Sequence, residues 1–539
     1  MNSILYRDIR SVLRLKTPST KAGCLRTREA WIRRPGREHE SCARYLSARG
    51  PDVVDEPTRE RKDVQTVRPF NDIPAPPTSI MASLSNLYKA WKVGFAKSAI
   101  VFMMEYRRTY GLICRSGKAK GRYATVMLFD PQDFAKVIRE EGKYPKRTDI
   151  VAMTADRDHR GLPCGIFSSQ GPLWRHNRSA LSGYILRPTE VIKYTERIAE
   201  VCGDLVKTIQ QKVDRNEPMN EQEIFSNWSF EAGASTIFGK RFNLLTDNAN
   251  PEGAAFMKSL KSLTSVAAML SVQAMLDWNR KYNTPIWKKH VRLWDTIFEI
   301  TRKCIDEKQE LLTKKGDSKC PADYITNLLR QHRLTDQELH SNLTEFFLAA
   351  TDTTAAALTW ALYLLGRNST IQEKLHQEVT RYAPRGQIIT ENTMLRNPWT
   401  FLKAVVKETL RLYPIGFGNL RQLDHDTVLQ GYHIPAGTLI FGVTYVMSRD
   451  QQNFEDALAF RPERWVRRDK LNPFDGFKSI PFGFGPRMCL GRRLAELELY
   501  IALIEIIRHF RLECTKEVEA TVTRVLLPAE PLQLVFTNR

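Results

Sequence analysis

Phe482-Gly-Phe-Gly485-Pro-Arg487-Met-Cys489-Leu-Gly491 sets one cysteine among glycines, with an arginine two residues ahead and a long helical pattern behind. Gly485 and Gly491 suit tight or left-handed turns and let the backbone approach a flat ligand, which residues with a Cβ resist. Amides converging on the sulfur, with the positive end of the following helix, are expected to lower the thiol pKa. The stretch reads as a metal-thiolate loop. A buried cysteine beside glycines is, taken alone, more often an inert small hydrophobe, so the rest of the pattern has to decide.

Cys489 has no Cys or His at ligand spacing, and the nearest other cysteine is Cys514. Zinc and iron–sulfur sites draw on several protein ligands, so one thiolate points to iron held in a macrocycle. The stretch is similar to the F-x-x-G-x-R-x-C-x-G heme-binding signature of the cytochrome P-450 family of heme-thiolate monooxygenases, and it matches every fixed position. The resemblance implies that Cys489 is the axial ligand of heme b, that Arg487 pairs with a heme propionate, and that Phe482 belongs to the cofactor-binding loop. Thiolate ligation favours O–O cleavage, which suits activation of dioxygen. The resemblance also implies the fold: mainly α with a small β-rich lobe, a triangular helical prism around a buried heme.

Phe346 to Leu365 is a second decisive stretch, whose polar members are Thr351, Asp352, Thr353, Thr354, Thr359 and Tyr363. Its length would span a bilayer, but an aspartate at its middle is expensive in lipid and tolerable in the core of a large domain. A buried helix is expected. Its centre, Ala349-Ala-Thr-Asp352-Thr353-Thr354, resembles the family's A-G-x-D/E-T-T oxygen-activation motif, with Ala350 where glycine is common. A mid-helix threonine hydroxyl can bond the carbonyl four residues back, here that of Ala349. By resemblance Thr353 would donate a hydrogen bond to dioxygen, and Asp352 would help relay protons.

Supporting motifs stand in the family's order. Glu408 and Arg411, as i and i+3 on a helix from Lys403 to Leu412, can pair, and Phe460-Arg-Pro-Glu-Arg464-Trp465 resembles the P-E-R-F segment. The resemblance makes Glu408, Arg411 and Arg464 a buried network that supports the cysteine loop. Trp174 and Arg178 share a helical face after the Gly171-Pro turn, and by resemblance both would bond heme propionates, as would Arg421. Candidate pocket residues are Phe167, Leu348, Ile415 and Leu526.

The remaining pattern is coarser. From Ser83 to Lys146 it predicts a helix, short strands such as Tyr123 to Phe129, and a helix from Pro131 to Glu141. Asn250 to Leu276 and Ile286 to Leu312 read as two long helices, with an apolar junction and a basic fringe that suits a membrane interface. Gly431 to Thr438 reads as a hairpin, and Val525 to Phe536 as a closing hairpin whose turn enters the pocket.

With 539 residues, 42% hydrophobic and 26% charged, the chain has length for one large core without a repeat or long linker. Its nine cysteines lack paired spacing, which suits a reducing compartment. Residues 1–65 resemble a mitochondrial transit peptide and disordered leader: from Met1 to Arg28 there are seven Arg or Lys against one acid, Asp8. A disordered basic tail without an address is the plainer alternative. Residues 66–539 form the catalytic unit.

A formal charge of +21 admits nucleic acid, an anionic membrane or an acidic protein, but no nucleic-acid-binding signature accompanies it. No G-x-G-x-x-G fingerprint appears, so electrons must come from another protein. The segment after Cys489 resembles the mitochondrial class, which implies a [2Fe–2S] ferredoxin as partner, with NADPH acting through ferredoxin reductase. Lys403, Lys407, Arg492 and Arg493 would offer it a basic docking surface. The expected enzyme is peripheral on the matrix side of the inner mitochondrial membrane and hydroxylates a sterol, steroid or secosteroid. Detoxification of lipophilic toxins, a heme-binding protein without turnover and a membrane-spanning structural protein are the alternatives.

Overall fold

The computed structural model describes residues 67–77, 95–116, 125–148, 150–270, 273–315, 323–466 and 475–539. The transit-peptide reading of residues 1–65 falls outside them. Helix α1 (Phe95–Tyr110) leads into strands β1 (Ile113–Ser116) and β2 (Thr125–Leu128), then α2 (Pro131–Glu140), α3 (Val151–Arg160) and α4 (Gly171–Ile185). Asp130 starts α2 by accepting the amides of Gln132 and Asp133, with Pro131 at the first helical position. Gly161, at φ 64°, ends α3.

Next come α5 (Thr195–Asp214), α6 (Glu221–Ile237), α7 (Pro251–Met269), α8 (Gln273–Lys281), α9 (Pro285–Lys315), α10 (Tyr324–Gln331) and α11 (Asp336–Arg367). The two long helices expected between Asn250 and Leu312 are therefore three. The apolar junction forms the separate helix α8, which carries the exposed Met275 and Trp278.

Helix α11 is the axis of the molecule. A capping box between Thr335 and Glu338 fixes its start, and it packs against α6, α9, α13 (Thr400–Leu412) and α14 (Arg492–His509), with α12 (Ser369–Tyr382) following it. No helix among the described residues is long and apolar enough to cross a membrane, and Phe346 to Leu365 lies in the main core.

The β-rich lobe is a four-stranded sheet, ordered β1-β2-β6-β3, from which β3 (Asn419–Gln422) and β6 (Leu439–Gly442) come late in the chain. β2 and β6 are parallel, with Val126 opposite Ile440, and the lobe has its own core around Phe134, Leu128 and Ile440. The expected hairpin at Gly431 turns at Gln430–Gly431 between β4 (Thr427–Leu429) and β5 (Tyr432–Ile434). The expected closing hairpin is divided. β8 (Ala520–Val522) pairs with β9 (Leu526–Pro528), while β10 (Val535–Asn538) pairs with β7 (Phe510–Glu513).

Candidate active site

Backbone geometry shapes the cysteine loop. Cys489 N–H donates to Phe482 O at 2.8 Å and Met488 N–H to Gly485 O at 3.0 Å. Gly483 and Gly485 take the left-handed φ values of 68° and 76°, and a Cβ on Gly485 would lie 2.6 Å from Glu141 Oε1. Gly491, expected to need such freedom, has an ordinary φ of −84° and caps α14. The second left-handed glycine is Gly483.

Cys489 is enclosed by protein, and burial raises its thiol, opposed by the Gly491 amide, Arg178 and Arg492. The expected lowering is thus outweighed by desolvation in the protein alone. Yet the Cys489 side chain is accessible. An enclosed but accessible thiol faces an internal void. Helix α11 meets the same condition: from Ser341 to Leu365 every residue is buried except Ala349, Ala350, Asp352 and Thr353. Thr353 Oγ1 donates to Ala349 O at 2.8 Å, the i−4 bond expected from sequence, and α11 stays helical through it. Asp352 is raised by burial, offset by an ion pair with Arg524 from the β8–β9 turn.

Arginines gather beside the thiol. Burial, then Arg147, Arg421 and Arg178, push Arg487 down to about 9, opposed by Glu141. Arg487 is held by Pro145 O (3.0 Å), Ser169 O (3.2 Å) and Gln170 Oε1 (2.7 Å) and lies 3.9 Å over the Trp174 ring. Arg178, half-buried, has no carboxylate partner among the described residues, and desolvation lowers it. Mutually repelling buried cations call for an anion. A flat dianion with a metal for the thiolate, heme with its two propionates, fits this chemistry. Arg421, expected to join them, is instead paired with Glu141 and donates to Phe484 O at 3.4 Å. That carboxylate already neutralises it.

Behind the loop, Glu408 accepts from Arg411 Nε and Nη2 at 2.8 Å each, Arg464 Nε at 2.9 Å, Trp465 Nε1 at 2.8 Å and Arg461 N at 3.0 Å. The three residues of the expected network meet. Lys403 and Arg493 are exposed and Lys407 and Arg492 half-buried. Glu496 sits among them, bonded to Arg492 at 3.0 Å and Arg493 at 3.3 Å. Phe482 is half-buried under Arg492. Of the pocket candidates, Leu348, Ile415 and Leu526 are buried and Phe167 is exposed. Leu526 is fixed by its N–H to Ile415 O at 3.0 Å and by Trp360 Nε1 to Leu526 O at 3.0 Å.

Sequence reading missed Glu345. Its buried carboxylate accepts from the amides of Gly165 (3.1 Å), Phe167 (2.9 Å) and Ser168 (3.1 Å) and from Ser168 Oγ (2.5 Å). Arg157, stacked between Trp294 and Phe298, balances it at 3.4 Å. One side chain of α11 thereby pins the loop that carries Phe167 and Ser169. Glu345→Gln is expected to cost about 1–3 kcal/mol, since four donors lose a charged acceptor, while Arg157 keeps its ion pair with Asp156 at 2.8 Å. A urea midpoint within error of the parent would refute this.

A family model described as Cytochrome P450 matches residues 76–536. The chain belongs to the cytochrome P450 family. This P450 is 34% identical over 479 residues, 88% of its length and 90% of the relative, to the mitochondrial 1,25-dihydroxyvitamin D(3) 24-hydroxylase of Mus musculus. It is 32% identical to the mitochondrial cholesterol side-chain cleavage enzyme of Oncorhynchus mykiss, covering 87% and 91% of the two chains. It is 35% identical to the mitochondrial sterol 26-hydroxylase of Mus musculus, covering 78% and 81%. It is a heme-thiolate monooxygenase of the mitochondrial class, with heme as cofactor, dioxygen as co-substrate and electrons from NADPH by way of ferredoxin reductase and a ferredoxin.

Proposed function

We propose that this P450 hydroxylates a sterol, steroid or secosteroid, with Cys489 binding the heme iron and Arg487, Arg178 and Trp174 meeting the propionates. The enclosed, accessible thiol beside a cluster of arginines is the observation that carries the assignment. Bound there, heme supplies the activation of dioxygen, so that RH, O2, two electrons and two protons give ROH and water. Thr353 presents its hydroxyl at an accessible gap in a buried helix, and Asp352 carries protons to it. Leu348 and Ile415 give apolar walls that admit a lipophilic substrate and exclude water, while Leu526 is fully buried and Phe167 is exposed. Glu408, Arg411 and Arg464 hold the loop from behind.

Lys403, Lys407, Arg492 and Arg493 form the ferredoxin-docking face. Residues 1–65 act as the import leader of a catalytic domain spanning 66–539. Met269, Met275, Trp278 and Tyr282, each more than half exposed near Arg280 and Lys281, rest on the matrix face of the inner membrane.

Titration of the ferric holoenzyme with sterols, secosteroids and unrelated hydrophobic toxins tests the substrate class. A saturating low-to-high-spin shift confined to the sterol or secosteroid set is expected; comparable weak shifts with unrelated toxins would overturn it. Thr353→Ala is expected to keep heme and lower the ratio of product to NADPH consumed several-fold, with the difference recovered as peroxide. An unchanged ratio would remove Thr353 from proton delivery.

A further inference from the structure

Asp352 and Arg524 come from segments 172 residues apart and form an ion pair in which the side chains keep 28% and 26% of their surface accessible. Asp352 belongs to the four-residue gap in the burial of α11, so the pair faces the void and not the core. Arg524 sits in the turn between β8 and β9, and Leu526, two residues on, is locked by its bonds to Ile415 and Trp360. The turn is therefore a fixed mount for a guanidinium aimed into a pocket whose other assigned walls are apolar. An arginine offers several donors in a planar fork suited to hydroxyl and carboxylate oxygens. Asp352 occupies that fork from within the chain.

We propose that Arg524 is the polar anchor of the substrate pocket: it binds a hydroxyl or carboxylate oxygen of a lipophilic substrate in exchange for Asp352. The inference rests on the proposed pocket and deepens it by naming an oxygen-bearing substrate. The exchange has a physical logic. A cation left alone in an enclosed void is costly, so it keeps one oxygen partner or another. A substrate that supplies the oxygen releases Asp352, and an oxygen-free substrate must leave the pair closed. Selection would then depend on the substituent as well as on shape.

Two probe sets separate this inference from the substrate reading. The first is 1-phenylimidazole against 4-(imidazol-1-yl)benzoate, which bind the iron of the holoenzyme through the imidazole whatever the natural substrate. The Soret shift gives Kd. The carboxylated probe is expected to lose at least tenfold in affinity in Arg524→Gln and to gain severalfold in Asp352→Asn, which removes its competitor; 1-phenylimidazole should stay within about twofold in both. Opposite responses of two variants cannot come from general loosening. Equal ratios of the two probes' Kd in the parent and Arg524→Gln would overturn the proposal.

The second set is 5α-cholestane, cholesterol and 25-hydroxycholesterol, read by spin shift. Preference for the oxygenated members that collapses in Arg524→Gln supports the anchor, and preference that survives the substitution overturns it. If no sterol binds but the benzoate result holds, the sterol class falls and the anchor stands.

Discussion

Cys489→His is expected to abolish the thiolate signature of the reduced, carbon monoxide-bound spectrum and, with it, hydroxylation. The sulfur is placed by a peptide hydrogen bond from its own N–H to Phe482 O and by two left-handed glycines. An imidazole at the same Cα is longer and neutral, and it lacks the electron-donating push that favours O–O cleavage. The Gly491 amide, Arg178 and Arg492 all oppose the burial that raises the thiol, and they have no such charge to stabilise on histidine. The expected result is heme that is retained or lost, in either case without the thiolate band. An unchanged band would show that the ligand is another residue.

Glu408→Ala should have the largest effect on stability. The carboxylate takes five hydrogen bonds, and both Glu408 and Arg411 are fully buried. Arg411 also donates to Ser448 O at 2.7 Å, Ala457 O at 2.6 Å and Ala459 O at 3.1 Å. Removing the acid leaves a buried guanidinium without a counter-charge, a loss of about 3–5 kcal/mol. Folded domains are stable by only about 5–15 kcal/mol, so little margin would remain. The substitution should release the stretch from Ser448 to Trp465 that the network gathers, and it should cost heme through disorder and not through a missing ligand. A change of less than about 1 kcal/mol in denaturant unfolding would place Glu408 among pairs of little consequence.

The i and i+3 pair of Glu408 and Arg411, the shared face of Trp174 and Arg178, and the i−4 bond of Thr353 each follow from local geometry, whereas the cysteine loop was legible through its resemblance to a family signature. The buried helix through Asp352 followed from the cost of charge in lipid. Pairings across the chain outside the family's motifs were not legible: Glu345 meets Ser168 from 177 residues away, and Asp352 meets Arg524 from the last hairpin. A lone glutamate in an apolar helix carries no sign of which loop it will hold. Arg421 shows the converse, since its neighbour Glu141 is distant in sequence and changes what the arginine is available to bind. Gly491 takes an ordinary φ of −84° and Gly483, not singled out from sequence, takes a left-handed one, because left-handed φ depends on where the turn falls and not on the residue alone.

The Glu345 clamp also bears on how fast a substrate gets in. Four donors on one charged acceptor, backed by a guanidinium wedged between two aromatic rings, make the wall from Gly165 to Ser168 a poor place for spontaneous opening, because separating it exposes several partners at once. On the proposed membrane contact, α8, with its exposed Met275, Trp278 and Tyr282, would be the wall through which a lipophilic ligand enters. A ligand entering there arrives from whatever apolar phase covers those side chains. On that proposal, its association rate at a fixed total concentration should rise with the fraction partitioned into added lipid.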